Sequence, residues 1–239
     1  MKNSLNILAL ADIHGRIPKL PKSITDSDVD VLMLCGDICG HFNKNWDFND
    51  YFQRMVNVPA ESADQRGWIV DTLKPWIDKT LKPKHTIFVN GNHDFGDFHG
   101  IFEHYLFKGS KNIEVEGVKI GVLAGSGMLS NEWSDEIDNE EFKHRIAGLD
   151  KDIQIIVSHM PPYGIMDRAH NGDRIGSPTL VNAIFGRMGS DPYFTKLERS
   201  FFGHCHEARN DETHEIEGRQ VHFHNVAERY VAVEFKKEV

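Results

Sequence analysis

Thr86-Ile87-Phe88-Val89-Asn90-Gly91-Asn92-His93-Asp94 is an apolar run that stops at a glycine and then releases three polar side chains in succession. Thr, Ile, Phe and Val suit a pleated environment enclosed on two sides, so the run reads as a buried strand. Gly91 lets the backbone turn sharply where that strand ends. Gly-Asn-His-Asp also makes an ordinary turn, because Asn, Asp and Gly dominate turns with or without chemistry. Recurrence separates the two readings. Elsewhere the chain repeats the device at four places: an apolar strand that ends in Gly, Asp, His or Asn.

Leu5 to Ala11 forms the first of these runs and ends in Asp12-Ile13-His14-Gly15. In extended chain, residues two apart point to one side, so a carboxylate and an imidazole at 12 and 14 can converge on one ion. Val29 to Cys35 is closed by Gly36-Asp37. Ile153 to Ser158 delivers His159 before Met160-Pro161-Pro162, and two prolines forbid the strand from continuing. Ser200-Phe201-Phe202 ends in Gly203-His204-Cys205-His206. In α/β sheets the strand ends are where sites are assembled. The joint set of imidazoles, carboxylates and an amide exceeds what one four-coordinate ion needs. Mixed nitrogen and oxygen donors suit manganese, iron or zinc, and a two-metal site is the better fit.

Composition sets bounds around this reading. With 239 residues, 40% hydrophobic and 26% charged, the chain reads as one globular domain over 1–239. No segment approaches transmembrane length and the start lacks the form of a signal peptide, so a cytoplasmic protein without membrane contact is expected. Cys35, Cys39 and Cys205 fit a reducing compartment better than a disulfide framework, with Cys35 in the core. A formal net charge of -9 argues against a surface that wraps duplex nucleic acid, and it leaves small phosphate substrates open. Nor does the charge speak for a nuclease, since a basic tract interleaved with aromatics is missing.

Between the strands, Ser62-Ala63-Asp64-Gln65 fits a capping box, with Ile69, Leu73, Trp76 and Ile77 on one helical face and Pro75 kinking or ending the helix early. Segment 41–52 reads as an aromatic loop or lid. Residues 113–120 alternate around Gly117 as a hairpin, and 215–224 read as another. Tyr230 to Phe235 reads as the last strand. Glu132 to Glu141 reads as the exposed start of a helix, and Ser177-Pro178 as a helix start. Arg168, Arg174 and Arg187 are candidates for a substrate phosphate, although surface arginines are more commonly solvated. His99 and His104 stay unassigned, and His222 and His224 are read as structural.

Asp12-Ile13-His14, Gly36-Asp37, Gly91-Asn92-His93-Asp94, His159 and Gly203-His204-Cys205-His206, in that order, resemble the calcineurin-like metallophosphoesterases. The resemblance spans nearly the whole chain. It implies an α/β fold, a four-layer α/β/β/α sandwich, with two divalent metal ions at the strand ends; manganese is favoured over iron, zinc or nickel. By the family pattern, Asp12, His14 and His206 hold one ion, Asn92, His159 and His204 hold the other, and Asp37 bridges them. His93 faces the phosphate, paired with Asp94. Many members carry a second acidic residue and an arginine after Gly-Asp. Here the chain reads Gly36-Asp37-Ile38-Cys39-Gly40-His41, which speaks against a protein phosphatase. The segment Ser158 to Gly164 looks closer to small metallophosphoesterase-domain proteins, some of which act on cyclic nucleotides.

The resemblance therefore implies hydrolysis of a small or nucleotide-type phosphate ester, foremost a diester, by a bridging water acidified by two cations. His93, polarised by Asp94, would steady the phosphoryl charge or protonate the leaving alkoxide. A phosphomonoesterase and a non-catalytic metal-binding scaffold are the alternatives.

Overall fold

The computed structural model describes residues 3–42, 58–128, 133–186 and 191–237. In chain order these form β1 (Ser4–Leu10), α1 (Lys22–Thr25), β2 (Val31–Cys35), α2 (Val58–Trp68), α3 (Lys74–Trp76), β3 (His85–Val89), β4 (His104–Leu106), β5 (Ser110–Val115) and β6 (Val118–Leu123). There follow β7 (Ser126–Gly127), β8 (Glu136–Ile137), α4 (Asn139–Ala147), β9 (Ile155–Ser158), α5 (Pro178–Phe185), β10 (Arg199–Phe202), β11 (Asp211–Ile216), β12 (Arg219–Asn225) and β13 (Tyr230–Lys236).

Two mixed sheets carry the structure. The first runs β13-β1-β2-β3-β4 and the second β11-β12-β10-β9-β6-β5. Strands β1 to β4 are parallel, with β13 antiparallel on the edge beside β1. In the second sheet β6, β9, β10 and β12 are parallel, and each edge is closed by an antiparallel hairpin partner. Alternation along each strand sets the layers. Leu5, Ile7, Ala9, Val31, Met33, Ile87 and Val89 face Ile120, Val122, Ile155, Val157 and Phe201 in one apolar cluster between the sheets. The intervening Leu8, Leu10, Leu32, Leu34 and Phe88 pack outward on Ile69, Leu73, Ile77 and Leu81. On the other side Ile156, Phe202 and Phe223 pack on Phe142 and Ile146 of α4 and on Leu180 and Ile184 of α5. Three apolar interfaces therefore separate helix, sheet, sheet and helix, the layer order expected for the sandwich.

Several local expectations are corrected. Ser62 is not an N-cap: the described helix already includes Val58, and Gln65 is an interior residue with no exposed surface. Pro75 does not end that helix, which continues to Leu81. Wider turns flank α3, where Lys74 N–H reaches Ile69 O and Lys82 N–H reaches Ile77 O. An extra residue per turn relieves the clash of a proline ring with the preceding turn. The acidic patch is only partly a helix start, since Glu136–Ile137 is β8 and α4 follows Asp138, whose carboxylate accepts from Glu141 N–H. Asp135 in that patch is buried and bound to Arg145 at 2.5 Å. Ser177 caps α5 as read, accepting from Leu180 N–H, and both hairpins and the last strand form where expected. Most of the aromatic segment 41–52, and Arg187, lie outside the described residues.

Candidate functional site

Strands β1, β2 and β3 of one sheet and β9 and β10 of the other end on the same side of the molecule, and each end carries candidate residues. The side chains converge through turns and not through extended spacing. Asp12, His14, Asp37 and His204 all hold positive φ, at 54°, 44°, 51° and 68°. Non-glycine residues seldom adopt that region, and they persist there when surroundings over-determine them. Backbone bonds supply that restraint: Asp12 N–H donates to Gly36 O, His14 N–H to Asp37 O and Gly15 N–H to Ile38 O. The β1 and β2 turns are therefore laced together.

Glycine opens the turns after β2, β3 and β10, and at all three close approach demands it: a Cβ on Gly36 would overlap the His159 ring. A Cβ on Gly91 would overlap Asp37 Oδ1 and the Asp37 backbone nitrogen, and one on Gly203 would overlap Asp12 Oδ2. Each candidate carboxylate thus sits against the bare backbone of a turn from another strand.

The candidate ligand atoms gather in two groups. Asp12, His14 and His206 each present one donor atom within 4.8 Å of the others, and so do Asp37, His159 and His204. His204 and His206 thus diverge into different groups. His206 Nε2 meets Asp12 Oδ1 at 2.9 Å, while its Nδ1 lies 3.5 Å from Glu228. Asn92 Oδ1 joins the second group, 3.0 Å from both His159 Nε2 and His204 Nδ1. His159 Nδ1 donates to Cys35 O at 3.0 Å, so Nε2 is the ring atom that faces Asp37 Oδ2, at 3.3 Å. Outer hydrogen bonds that fix a histidine in this way are typical of metal ligands.

Electrostatics follow from burial and crowding. Burial alone would raise the Asp37 carboxyl, but His159, His93 and His14 outweigh it and hold the group well below the usual carboxylate range. For His159 burial opposes charge, and the Asp37 carboxylate overcomes it and raises the imidazole. Burial, helped by the neighbouring His159, pushes His204 down to about 3. Its Nε2 is buried without a partner among the described residues. Donor atoms of Asn92, His159, His204 and Asp37 therefore crowd one point, where a cation would take the place of the proton that Asp37 holds on His159. The nitrogen and oxygen donors fit hard to borderline divalent ions.

His93 stands beside this cluster, Nε2 3.8 Å from Asp37 Oδ2. Its expected pairing with Asp94 is not found. Asp94 is fully buried, and its oxygens accept from the backbone N–H groups of Cys39 at 2.8 Å, Gly91 at 2.9 Å and Ile38 at 3.3 Å. A buried carboxylate needs donors, and the two turns supply them first. His93 Nδ1 instead meets His41 Nε2 at 2.6 Å, and its ring lies 4.3 Å from that of Trp133. Burial pushes both imidazoles down, His93 to about 4 and His41 to about 3.

Three contributors escaped the sequence reading. In sequence His41 opens the aromatic loop, and its place next to His93 exists only in three dimensions. Trp133 gave no signal. Gln65 is a strut: its amide donates to His93 O at 2.8 Å, and its oxygen accepts from Phe95 N–H and Gly96 N–H. Other expected residues are committed to local partners. Arg174 pairs with Asp167 at 2.6 Å and Arg168 donates to Gly172 O, so both are engaged within their own loop. His222 and His224 bond to Thr213 and Asp211 as structural residues. His99 pairs with Asp97, and His104 joins His85 and Glu103 at the opposite end of β3.

Comparison with known proteins adds the family. The model of the calcineurin-like phosphoesterases matches residues 5–208. A UPF0046 protein of Caenorhabditis elegans, T07D4.2, is 29% identical over 93 residues, which is 36% of this chain and 22% of the worm protein. A solved structure aligns over 97% of this chain and 95% of its own at 19% identity and TM-score 0.60, which speaks for a shared fold. The phosphopantetheinyl hydrolase of Mycobacterium tuberculosis aligns more loosely, over 93% of this chain and 89% of its own at 15% identity and TM-score 0.45. With strand-end motifs, two donor groups and a family match from β1 past the last candidate ligand, the chain belongs to the calcineurin-like phosphoesterase family.

Proposed function

We propose that this protein is a dinuclear metal-dependent phosphodiesterase acting on a small or nucleotide-type ester. Asp12, His14 and His206 hold one divalent cation and Asn92, His159 and His204 the other, with the Asp37 carboxylate shared between them; manganese is the favoured ion. The observation that carries this reading is the pair of donor groups, each within 4.8 Å, on adjoining turns of one cleft. Two such cations supply Lewis acidity, acidifying water and offsetting the charge of phosphoryl oxygens.

The chain's own residues supply position and protons. Asp12 and Asp37 are locked by backbone donors, His204 N–H on Asp12 at 2.9 Å and His93 N–H on Asp37 at 2.8 Å, so their free lone pairs keep one direction. When His41 Nε2–H donates to His93 Nδ1, the His93 proton resides on Nε2, the atom nearer Asp37. From there it steadies a phosphoryl oxygen or passes to the departing alkoxide. Trp133 and the Gln65 strut keep the His93 ring from turning away.

The test is metal content followed by turnover. After manganese loading and desalting, two ions per chain are expected, with bis-p-nitrophenyl phosphate hydrolysed faster than p-nitrophenyl phosphate. One ion or none would remove the dinuclear reading, and preference for the monoester would make the protein a phosphomonoesterase.

A further inference from the structure

Asp12, His14 and His206, together with His93, line a cavity of about 850 Å³ whose walls also include Arg16, Lys19, Arg209, Glu228, Arg229 and Tyr230. That volume is within the range of pockets for whole small-molecule ligands, well beyond what one phosphoryl group fills. Charge is unevenly placed. The chain carries nine more acidic than basic side chains, yet among the described residues of this lining Glu228 is the one acid that is not a candidate ligand, against four cations.

The four cations are not equivalent. Arg209 is bound to Glu228 at 2.6 Å. Arg229 is bound to Asp211 at 2.6 Å and also donates to Asn210 O and Asn225 O. Arg16 and Lys19 are exposed and make no ion pair or side-chain hydrogen bond among the described residues. Their backbone is nonetheless held in place. His14 N–H and Gly15 N–H bond to the carbonyls of Asp37 and Ile38, and Arg16 N–H closes a turn on Ile13 O. Pro18 then fixes the chain between the two cations. The cations thus stand on a fixed backbone two and five residues beyond a candidate ligand, with their charges uncommitted.

From this placement we propose that the substrate bears a second, non-scissile phosphate, and that Arg16 and Lys19 bind it. The substrate class is a nucleotide-type diester carrying an additional phosphate. This rests on the phosphoesterase reading above and narrows it. Arginine offers paired donors to phosphate oxygens and lysine a mobile point charge, a combination suited to a terminal dianion. Exposed cations raise local anion concentration in a salt-dependent way, so the preference is largest at low ionic strength.

A matched chromogenic pair tests the proposal: thymidine 5′-(p-nitrophenyl phosphate) with and without a 3′-phosphate. The manganese-loaded protein is expected to favour the 3′-phosphorylated compound by about tenfold in kcat/KM, the effect of one charge-assisted hydrogen bond. In Arg16→Ala/Lys19→Ala that ratio falls toward one, whereas the charge-preserving Arg16→Lys/Lys19→Arg keeps it. A ratio of one in the wild type, or an undiminished ratio in the double alanine variant, overturns the proposal. Calorimetry with thymidine 3′,5′-bisphosphate and thymidine 5′-monophosphate gives a readout independent of turnover. Tighter binding of the bisphosphate, lost in the double alanine variant, supports the subsite even if neither ester is hydrolysed, in which case the phosphoesterase reading alone fails. Equal affinities overturn the subsite.

Discussion

His93 Nε2 lies 3.8 Å from Asp37 while Asp94, the next residue, turns its carboxylate into the backbone of residues 38, 39 and 91. The two neighbours therefore carry different burdens, and substitution separates them. His93→Ala is expected to retain two manganese ions per chain and to lose about a hundredfold to ten-thousandfold in kcat on bis-p-nitrophenyl phosphate. Loss of an ion in that variant, measured by atomic emission, would make His93 a ligand. Asp94→Ala strands three buried N–H groups, and urea unfolding of the metal-free protein should show a loss of about 3 kcal/mol. Undiminished stability with reduced kcat would return Asp94 to the role of polarising His93. Motif spacing made both residues conspicuous as chemistry-bearing side chains, but it gave no sign of which way each would turn. That direction depends on His41 and on the Gly36 turn, which come from other parts of the chain.

At the scale of the element, the unit that matters is the turn at the end of each buried strand. β1, β2, β3, β9 and β10 were legible because their apolar runs are unbroken and each stops at a residue that turns readily. Harder to read was how the turns touch. Gly203 lies against the Asp12 carboxylate, and Gly203→Ala would drive a methyl group into it. Manganese affinity is expected to fall at least about tenfold, about 1.4 kcal/mol, with the far-ultraviolet circular dichroism unchanged. An unaltered affinity would mean that the β1 and β10 turns do not depend on each other. The helix over β3 was misread for another reason. Ser62 and Gln65 match a capping pattern locally, but Gln65 is taken by the carbonyl of His93 and the N–H groups of Phe95 and Gly96, a demand that arises only after β3 is in place. Pro75 likewise points locally to a kink or an end, whereas the helix runs on to Leu81 and widens its turns around it.

For the whole molecule, the two sheets share one apolar interior and each lends turns to the cleft, so ligand binding and global stability are linked. Free manganese at a hundred times its dissociation constant should add about 2.7 kcal/mol. For a chain of this length that amounts to about 5 to 10 °C in the thermal midpoint, read by calorimetry with manganese and with a chelator. An identical midpoint in both would argue against any ion held jointly by the two sheets. The layering itself was readable, since period-two alternation in β1, β2 and β9 divides one cluster from the next. Strand order was less so. Nothing in Tyr230 to Lys236 announces that it will lie beside the first strand, because pairing partners are chosen by the assembled sheet and not by local pattern.

That late arrival beside β1, with His204 and His206 also near the far end of the chain, bears on how the protein is made. While the ribosome is still translating, the earlier turns emerge without the partners that complete either donor group, so a scavenged ion finds no finished nest to occupy. Manganese should then leave the refolding rate nearly untouched and slow the escape from the native state, acting as a latch fastened after assembly.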